Sequence, residues 1–492
     1  MLDLVLAALL LLAPVLVNGR PSAFPDTAFY YSEGRYVAQL AGVATARDQR
    51  DIRTDPTALQ PLAVHQTLAG AQIGGARSPL YGVMVYASRG PGGLWALAAV
   101  QALLAAWVLR LALRAILGAA ATGIFLGVTA ALAVGSSLPF FVGLAMPDLF
   151  AGLAVAGFCV IAVYGQALSR AERWGLAAAT ALFAATHLSQ ALVLIGLIVV
   201  ASGLWRLRAG RLVAGRNLAL AVLITASGVA LSIAAAWAVG HSLGAQGGQP
   251  PFITARLLAD GPGRAYLRAA CAARPAAYAL CRYQGLPLND ADQILWDTDP
   301  KRGVFTAADP ATRTRLQQEQ SRFALGAAAY APGSVLAAAG RNFLAQLALA
   351  RVEEPLRNPG DFLHHATLAA TAIPSLIPSM APCRVRPGAC AARLSFGALA
   401  AWHQAVIILS LGFLAWRLSR PDVGGDPRAE RFIGFVGLIG AGLLLNAALC
   451  GVLSGPYARY EARVIWLAPM CALLAALLFG ARPSRTPRNP PG

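Results

Sequence analysis

Long apolar blocks are the feature of this sequence that most limits the folds open to it. Ten such blocks cover residues 1–17, 94–109, 115–134, 148–168, 175–187, 190–205, 217–240, 394–416, 432–454 and 464–481. A helix needs about 20 apolar residues, within a range of about 17–25, to cross the hydrocarbon core of a bilayer. Most of the blocks qualify. We therefore expect an all-α polytopic membrane protein with about ten transmembrane helices and the lipid bilayer as a partner.

The composition excludes a soluble enzyme and disfavours a nucleic-acid partner. The 492 residues are 57% hydrophobic and 13% charged, whereas globular chains carry about 25% charged residues. The formal net charge is +18. Because the arginines stand at the ends of apolar blocks instead of lining one face, we predict no nucleic-acid binding.

Short arginine clusters set the orientation of the spans, because arginine in short loops favours the cytoplasmic side. The dense clusters contain Arg110 and Arg114, then Arg170 and Arg173, then Arg206, Arg208, Arg211 and Arg216, then Arg417, Arg420, Arg428 and Arg431, and finally Arg482, Arg485 and Arg488. Ten spans place every cluster and both termini in the cytoplasm. One long helix over 175–205 would put the last two clusters outside. We therefore predict a ten-span protein of the bacterial inner membrane.

Ten spans leave two long segments on the periplasmic side of the membrane. The first block lacks a basic n-region and a good cleavage site, which favours an uncleaved first span over a signal peptide. The predicted order is a first span at 1–17, a first periplasmic loop at 18–93, spans two to seven at 94–240, a second, mainly helical periplasmic segment at 241–393, spans eight to ten at 394–481 and a cytoplasmic tail at 482–492.

The second periplasmic segment contains one clear helix start and two apolar stretches. Asp309 followed by Pro310 predicts an N-cap with proline at the first helical position. The stretch 333–352 is typical of an amphipathic helix on the membrane surface, and equally of a helix that packs inside the protein. The stretch 363–380 is broken by Pro374 and Pro378, so we expect it to be interfacial or re-entrant.

Four of the seven cysteines fall in the second periplasmic segment as two close pairs, Cys271 with Cys281 and Cys383 with Cys390. An oxidising periplasm permits disulfides, so we predict two local bridges. Crosswise pairing remains open, because sequence does not fix connectivity. Neither pair has the C-x-x-C spacing of a zinc site, so we predict no metal and no cofactor.

The segment after the first span offers a candidate general base. Asp26 follows Pro25 a few residues beyond the span, at the expected level of the lipid headgroups. A carboxylate there could accept a proton from a hydroxyl group as a general base. The alternative is an N-cap on a helix that begins at Thr27. An Asp26→Asn variant distinguishes the two roles, because asparagine caps a helix but is no base.

Arginines near the other ends of spans offer phosphate-binding groups, since the planar guanidinium matches phosphate oxygens. One candidate is Arg77, just before Pro79 and Tyr81 at the entrance to the second span. The others are Arg459 and Arg463, which alternate with Tyr457 and Tyr460 in the last external loop, 455–463. The alternative for that loop is a structural salt bridge through Glu461.

Three further residues carry weaker signals. His187 lies at a span junction, where it could hydrogen-bond a substrate or a neighbouring helix. Asp148 follows Pro147 at the start of a span, and we expect it to serve as a helix cap more than as a catalytic group. Trp296 stands among acidic residues, where it contacts either a glycan or the protein core.

These motifs resemble those of the GT-C glycosyltransferases, a superfamily of integral membrane enzymes that use polyprenyl-phosphate sugars. The overall plan of the chain is similar, and the matching motifs are Pro25-Asp26 with Tyr30, Arg77-Ser78-Pro79-Leu80-Tyr81, Met146-Pro147-Asp148 and His187-x-Ser189. The WWD-type motif of oligosaccharyltransferases is absent, which argues against a metal-dependent, protein-glycosylating enzyme.

The resemblance implies sugar transfer from a polyprenyl-phosphate donor to an envelope glycan or lipid at the periplasmic face. It implies Asp26 as the general base and a set of substrate-binding residues, Arg77, Tyr81, His187, Arg459, Tyr460 and Arg463. The alternatives are a transporter or flippase of envelope intermediates, and an O-antigen-polymerase-like enzyme that uses a diphosphate donor. Convergence of Asp26 with the three arginines favours an enzyme, and their dispersal favours a transporter.

Overall fold

The computed structural model describes residues 1–43, 77–118, 121–207, 212–242, 249–354, 391–421 and 426–480. The predicted interfacial stretch 363–380 and the predicted bridge between Cys383 and Cys390 lie outside the described residues. Within the described ranges the backbone forms helices and one isolated β-bridge, between Ser22 and Leu144, and no strand.

The first half of the described chain forms eleven α-helices. They are α1 (Leu2–Leu11), α2 (Ala13–Asn18), α3 (Thr27–Leu40), α4 (Pro79–Ala87), α5 (Gly93–Leu117), α6 (Thr122–Gly135), α7 (Leu138–Val142), α8 (Asp148–Tyr164), α9 (Arg170–Ala185), α10 (Leu188–Leu207) and α11 (Gly215–Ser242). The second half carries α12 (Phe252–Asp260), α13 (Pro262–Ala273), a 3₁₀-helix (Ala279–Tyr283), α14 (Ala291–Trp296), α15 (Pro310–Tyr330), α16 (Pro332–Ala348), α17 (Phe396–Leu418), α18 (Pro427–Leu453), α19 (Ala458–Ile465) and α20 (Leu467–Gly480).

Six helical segments in the described ranges are long and apolar enough to cross a membrane. They are α5, α10, α11, α17, α18 and the combined segment Ala458–Gly480, and the bent pair α15–α16, which turns by 108°, would be a seventh. The other apolar blocks of the sequence form the shorter helices α1 with α2, α6, α8 and α9. This pattern indicates a multi-pass helical membrane protein.

A break at Thr186 and His187 separates α9 from α10. The Thr186 hydroxyl donates to the Phe183 carbonyl at 2.7 Å and lies 2.9 Å from the Gln190 amide oxygen. The Thr186 side chain therefore contacts both the last turn of α9 and the first turn of α10. Both helices pack against α8 and α11. The two apolar blocks therefore form two helices with a break between them and not one unbroken helix.

Helix α8 lies at the centre of the bundle, and every one of its residues is buried. Helices α5, α9, α10, α11, α18 and α19 surround it. A helix that is apolar on all sides is one that packs against protein all round. Inside a membrane, close van der Waals packing drives such association, because lipid is as apolar as the side chains.

Residues 249–354, called the polar subdomain here, have an apolar core of their own. Phe323 is fully buried there, together with Leu258, Leu267 and Ile294. The predicted disulfide between Cys271 and Cys281 is confirmed. The predicted helix start is confirmed as well, because the Asp309 carboxylate accepts from the Thr312 amide at 2.9 Å and Pro310 follows.

The polar subdomain joins the bundle through α16, which packs along α18. Gly451 of α18 allows the close approach, since a Cβ there would lie 2.8 Å from the Asn342 carbonyl oxygen. Helix α16 thus packs against the bundle on one side, and it keeps Leu336 and Leu344 exposed.

Candidate functional site

Five charged side chains from distant parts of the chain form an alternating row at adjoining helix ends. Arg77 donates to Asp26 at 2.7 Å. Arg459 lies between the two carboxylates, with its Nη2 atom 4.0 Å from Asp26 and its Nε atom 3.8 Å from Asp148. Arg463 completes the row, 3.3 Å from Asp148. We call these five residues the charge row.

The charge row has a closed end and an open end. The side chains of Asp148 and Arg463 are 3% and 2% exposed. Those of Asp26 and Arg459 are 18% and 20% exposed, and Arg77 is 9% exposed. A ligand that approaches from solvent therefore meets Asp26 and Arg459 first.

Backbone contacts hold the Asp26 segment beside the segment that leads into α8. The Ser22 amide donates to the Gly143 carbonyl at 2.8 Å, and the Ala145 amide donates to the Ser22 carbonyl at 2.8 Å. The Thr27 hydroxyl adds a bond to the Ala145 carbonyl at 2.9 Å. These bonds fix Asp26 relative to the start of α8, where Asp148 lies.

Asp26 occupies the N-cap position of α3, but its side chain makes no capping hydrogen bond. The carboxylate faces Arg77 and Arg459 instead. The N-cap interpretation of this side chain is therefore wrong, although α3 does begin at Thr27 as that interpretation assumed. Two nearby guanidinium groups account for the difference, since each carries a full positive charge whereas a backbone N–H group carries only a partial one.

Arg77 is held by its neighbours in sequence and by two aromatic rings. The adjacent Ser78 caps α4 and donates to the Ala185 carbonyl at 2.7 Å, which ties this segment to the end of α9. The guanidinium carbon lies 4.4 Å from the Phe29 ring centroid and 5.3 Å from that of Trp296. Such cation–π contacts orient the guanidinium group.

The protonated state of Arg77 is secure. Burial opposes its charge, but the Asp26 carboxylate outweighs that effect and raises the pKa of Arg77 above its ordinary value. Arg77 therefore stays a cation beside Asp26.

Helices α3 and α4 cross so closely that only glycine fits at the contact. A Cβ on Gly34 would clash with the Gly82 carbonyl oxygen, and a Cβ on Gly82 would lie 2.7 Å from the Tyr30 carbonyl oxygen. Because Asp26 precedes α3 and Arg77 precedes α4, this crossing sets the distance between the two charged groups.

A second glycine contact brings Arg463 to Asp148. Gly152 lies one turn after Asp148 in α8, and a Cβ there would be 2.5 Å from the Trp466 indole nitrogen and 2.9 Å from the Arg463 carbonyl oxygen. Trp466 is fully buried and donates to that carbonyl at 3.0 Å. The close approach of α8 and α19 therefore places the two charges in contact.

Arg463 also bonds to uncharged groups. Its Nη2 atom lies 3.0 Å from the Asn446 amide oxygen and 3.2 Å from the Ser189 hydroxyl. The His187 Nδ1 atom is 2.9 Å from that hydroxyl. His187 thus reaches the charge row indirectly, through Ser189 and Arg463.

The predicted capping role of Asp148 is wrong. Pro147 holds the N-cap position of α8, and the Asp148 carboxylate pairs with Arg459 and Arg463. The motif Met146-Pro147-Asp148 drew attention to this residue, but its partners are distant in sequence, with Arg463 lying 315 positions away.

The segment predicted as the last external loop is helical from Ala458 onward. Its predicted alternative, a salt bridge through Glu461, does not form among the described residues, because Glu461 accepts instead from the Asn446 amide at 3.1 Å. Arg459 stacks on the Phe24 ring at 4.0 Å, and the Tyr460 ring lies 5.4 Å from the same guanidinium. Tyr460 therefore flanks the charge row.

Tyr81 is a correction to the predicted site. It is fully buried, its hydroxyl donates to the Gln101 amide oxygen at 2.9 Å, and its ring packs on Tyr30 and Phe150. These contacts place Tyr81 in the core beneath the charge row. Apolar surroundings and a ready amide partner explain why it packs inward.

The polar subdomain contacts the charge row through α14, and it contacts the neighbouring Tyr457 through α14 and α16. The Tyr457 hydroxyl donates to Asp292 at 2.5 Å, and the Tyr457 backbone exchanges two hydrogen bonds with the buried Gln346 side chain, at 2.9 and 3.0 Å. Burial and the Asp292 carboxylate raise the pKa of Tyr457, so its phenol stays protonated as a donor. The other end of α14 supplies Trp296 to Arg77.

The guanidinium groups of the charge row retain unused hydrogen-bond donors. The Nε atoms of Arg77 and Arg463 and the Nη1 atom of Arg459 are buried, and none has a hydrogen-bond partner within the described part of the chain. Buried donors are nearly always paired in folded proteins. With three arginines and two aspartates, the row also has one positive charge in excess. Both features suit an anionic ligand.

The described ranges contain no group of three or more histidine, cysteine or acidic side chains that could hold a metal ion. The chemistry that the charge row can offer is anion binding through arginine and proton transfer through Asp26. No family model, curated protein or solved structure matches this chain.

Proposed function

We propose that this chain is a membrane glycosyltransferase that moves a sugar from a polyprenyl-phosphate donor to an envelope glycan or lipid. The reaction takes place at the charge row, on the periplasmic face of a ten-span protein whose termini are both cytoplasmic. The donor phosphate binds to arginines of the row. The acceptor hydroxyl approaches from solvent, at the open end where Asp26 lies.

The proposed reaction breaks the bond between the sugar anomeric carbon and the phosphate oxygen. The acceptor oxygen bonds to that carbon, its proton passes to the Asp26 carboxylate, and the polyprenyl phosphate leaves with the bonding electrons. General-base assistance of this kind contributes about 10²–10⁴-fold to a rate. Guanidinium groups stabilise the charge that develops on the departing phosphate.

One observation carries the proposal more than any other. A carboxylate near the open end lies in hydrogen-bond contact with Arg77, and each of the three arginines has a buried N–H group with no partner among the described residues. A base beside unsatisfied cationic donors is the combination that transfer from a lipid phosphate requires. Tyr460 flanks the row beside Arg459, and His187 supports it through Ser189 and Arg463.

The test is sugar transfer by the purified full-length protein in nanodiscs. Labelled polyprenyl-phosphate sugars serve as donors, and isolated envelope glycan and lipid fractions serve as acceptors. We expect the wild type to transfer label from at least one donor, and Asp26→Asn to be about 10²–10⁴-fold slower, the range of general-base contributions.

Asp3→Asn is the matched control, because Asp3 is also a carboxylate paired with an arginine, Arg110, but lies near the start of α1. We expect it to retain transfer. A wild type that is inactive with every donor would contradict the enzyme, and full activity in Asp26→Asn would contradict the role of that residue.

The surplus of arginine also favours a second candidate, an O-antigen-polymerase-like enzyme with a diphosphate donor. Once Asp26 is protonated, the row carries two positive charges in excess, which match the two negative charges of a diphosphate-linked sugar. Diphosphate-linked sugars in the same donor panel separate the two, because only the polymerase-like enzyme would transfer from them.

A further inference from the structure

Asp26 lies where an anionic ligand of Arg77 and Arg459 would bind. Its Oδ1 atom accepts from Arg77 at 2.7 Å, and its Oδ2 atom is 4.0 Å from Arg459. The carboxylate thus spans two guanidinium groups with two oxygens, as a phosphate group does. At 18% exposure it is also the more accessible of the two carboxylates in the row.

Asp148 differs in both respects. It is 3% exposed and pairs with Arg463, which Asn446 and Ser189 also hold. Removing such a buried carboxylate from its arginine leaves an uncompensated charge in a region of low dielectric constant, at a large energetic cost. Arg463 is therefore committed to Asp148, whereas Arg77 and Arg459 can exchange their anion.

We infer that Arg77 and Arg459 form a phosphate-binding subsite that Asp26 occupies in the unliganded protein, and that a phosphate group binds by displacing Asp26. Arg463 and Asp148 stay paired and form the fixed wall of the subsite. This inference rests on the proposed function and specifies which arginines hold the phosphate.

Displacement of Asp26 by a phosphate group would also make the Asp26 carboxylate a stronger base. A carboxylate hydrogen-bonded to a guanidinium group is stabilised as the anion and accepts a proton poorly. Once a phosphate takes over Arg77 and Arg459, Asp26 loses that stabilisation and lies beside a negative charge, and both changes increase its proton affinity. The acceptor hydroxyl then delivers its proton to Asp26, and no other group changes its protonation.

The test measures phosphate affinity, independently of any transfer. The full-length protein in phosphatidylcholine nanodiscs is titrated with inorganic phosphate by calorimetry. In a second arm, nanodiscs contain increasing mole fractions of a long-chain polyprenyl phosphate, and native mass spectrometry counts the bound lipid. The two arms distinguish a free phosphate from a lipid headgroup as the source of the ligand.

We expect Asp26→Asn to bind phosphate about tenfold more tightly than the wild type in at least one arm. If Asp26 occupies the subsite about nine-tenths of the time, the subsite is open for about one-tenth of the time. The apparent affinity for phosphate is then about tenfold weaker than the intrinsic affinity. Asp26→Ala should show the same gain, so that misfolding of one variant does not decide the result. Arg77→Gln should lose the binding.

Asp3→Asn is again the matched control, because it adds the same unit of net charge away from the row. An equal gain in Asp3→Asn, an unchanged affinity in Asp26→Asn and Asp26→Ala, or no phosphate binding in any variant would each overturn the inference. Transfer that depends on Asp26 without a gain in affinity would overturn the inference alone. A gain in affinity without transfer from any donor would support the inference and contradict the proposed function.

Discussion

At the scale of single residues, the two aspartates of the charge row show how exposure decides the function of an ion pair. Breaking a buried pair by removing one partner costs about 3–5 kcal/mol, whereas exposed pairs contribute about 0–1 kcal/mol. The pair of Asp148 with Arg463 belongs to the first class, whereas the pair of Asp26 with Arg77, at 18% and 9% exposure, lies between the two. One aspartate therefore supports the structure, and the other is the more accessible to a ligand.

Asp148→Asn should lower the free energy of unfolding by about 3–5 kcal/mol, because it leaves Arg463 without a buried counter-ion. Asp26→Asn should lower it by less than that, because Asp26 is the more exposed of the two carboxylates and the asparagine amide oxygen can still accept a hydrogen bond from Arg77. Denaturant unfolding in detergent micelles measures both values. Replacing Arg463 by methionine in the Asp148→Asn background should recover part of the loss. Equal effects of the two single variants would contradict the difference in role.

The same residues show what local sequence can and cannot predict. Asp26 and Asp148 both follow proline immediately before or at a helix start, so the local pattern predicts a cap for each. The side chains pair with arginines instead, and those partners lie 51 and 315 positions away. Local signals identified residues at helix ends, but only tertiary packing determines which charges meet.

At the scale of helices, the crossing of α3 and α4 determines the geometry of the exchangeable pair. Gly34 and Gly82 let the two backbones touch. A larger residue at either position forces the helices apart, and overpacking of this kind typically costs 1–3 kcal/mol. Such a substitution should reduce activity more than it reduces stability, because Asp26 and Arg77 immediately precede these helices.

Gly34→Ala should slow sugar transfer by at least about tenfold, because it moves Asp26 away from its place beside Arg77 and a misplacement of about 1 Å at a reacting group can cost more than that. Transfer assays measure the effect. Gly127→Ala is the matched control, because Gly127 lies in α6 with no atom within 4 Å of its Cβ position. That control should retain activity, and an equally active Gly34→Ala would show that the crossing does not position the site.

The positions of helices were easier to predict from the sequence than the contacts between helices. The apolar blocks of the described ranges are helical, and the starts of α3 and α15 follow from proline and aspartate signals. Trp296 was not placed by its sequence, because its partner Arg77 belongs to a different part of the chain. The only sequence feature that drew attention to this region was the group of acidic residues around Trp296. One of them, Asp292, accepts a hydrogen bond from Tyr457 next to the charge row.

At the scale of the whole molecule, the proposal depends on the side of the membrane that the charge row faces. The polar subdomain supplies Trp296 to Arg77 and Asp292 to Tyr457, so the subdomain and the row face the same compartment. The Cys271–Cys281 bridge in that subdomain suits an oxidising compartment. The arginine clusters at the other helix ends favour the cytoplasm.

The most direct measurement is labelling of intact cells with a membrane-impermeant maleimide. Gln284 in the polar subdomain and Arg420 at the end of α17 are both exposed, and the three free cysteines of the described ranges are buried. Single Gln284→Cys and Arg420→Cys variants are compared with the wild type as the blank. The account predicts that Gln284→Cys is labelled in intact cells and that Arg420→Cys is labelled only after the membrane is permeabilised. The opposite pattern would place the charge row in the cytoplasm and contradict transfer at the periplasmic face.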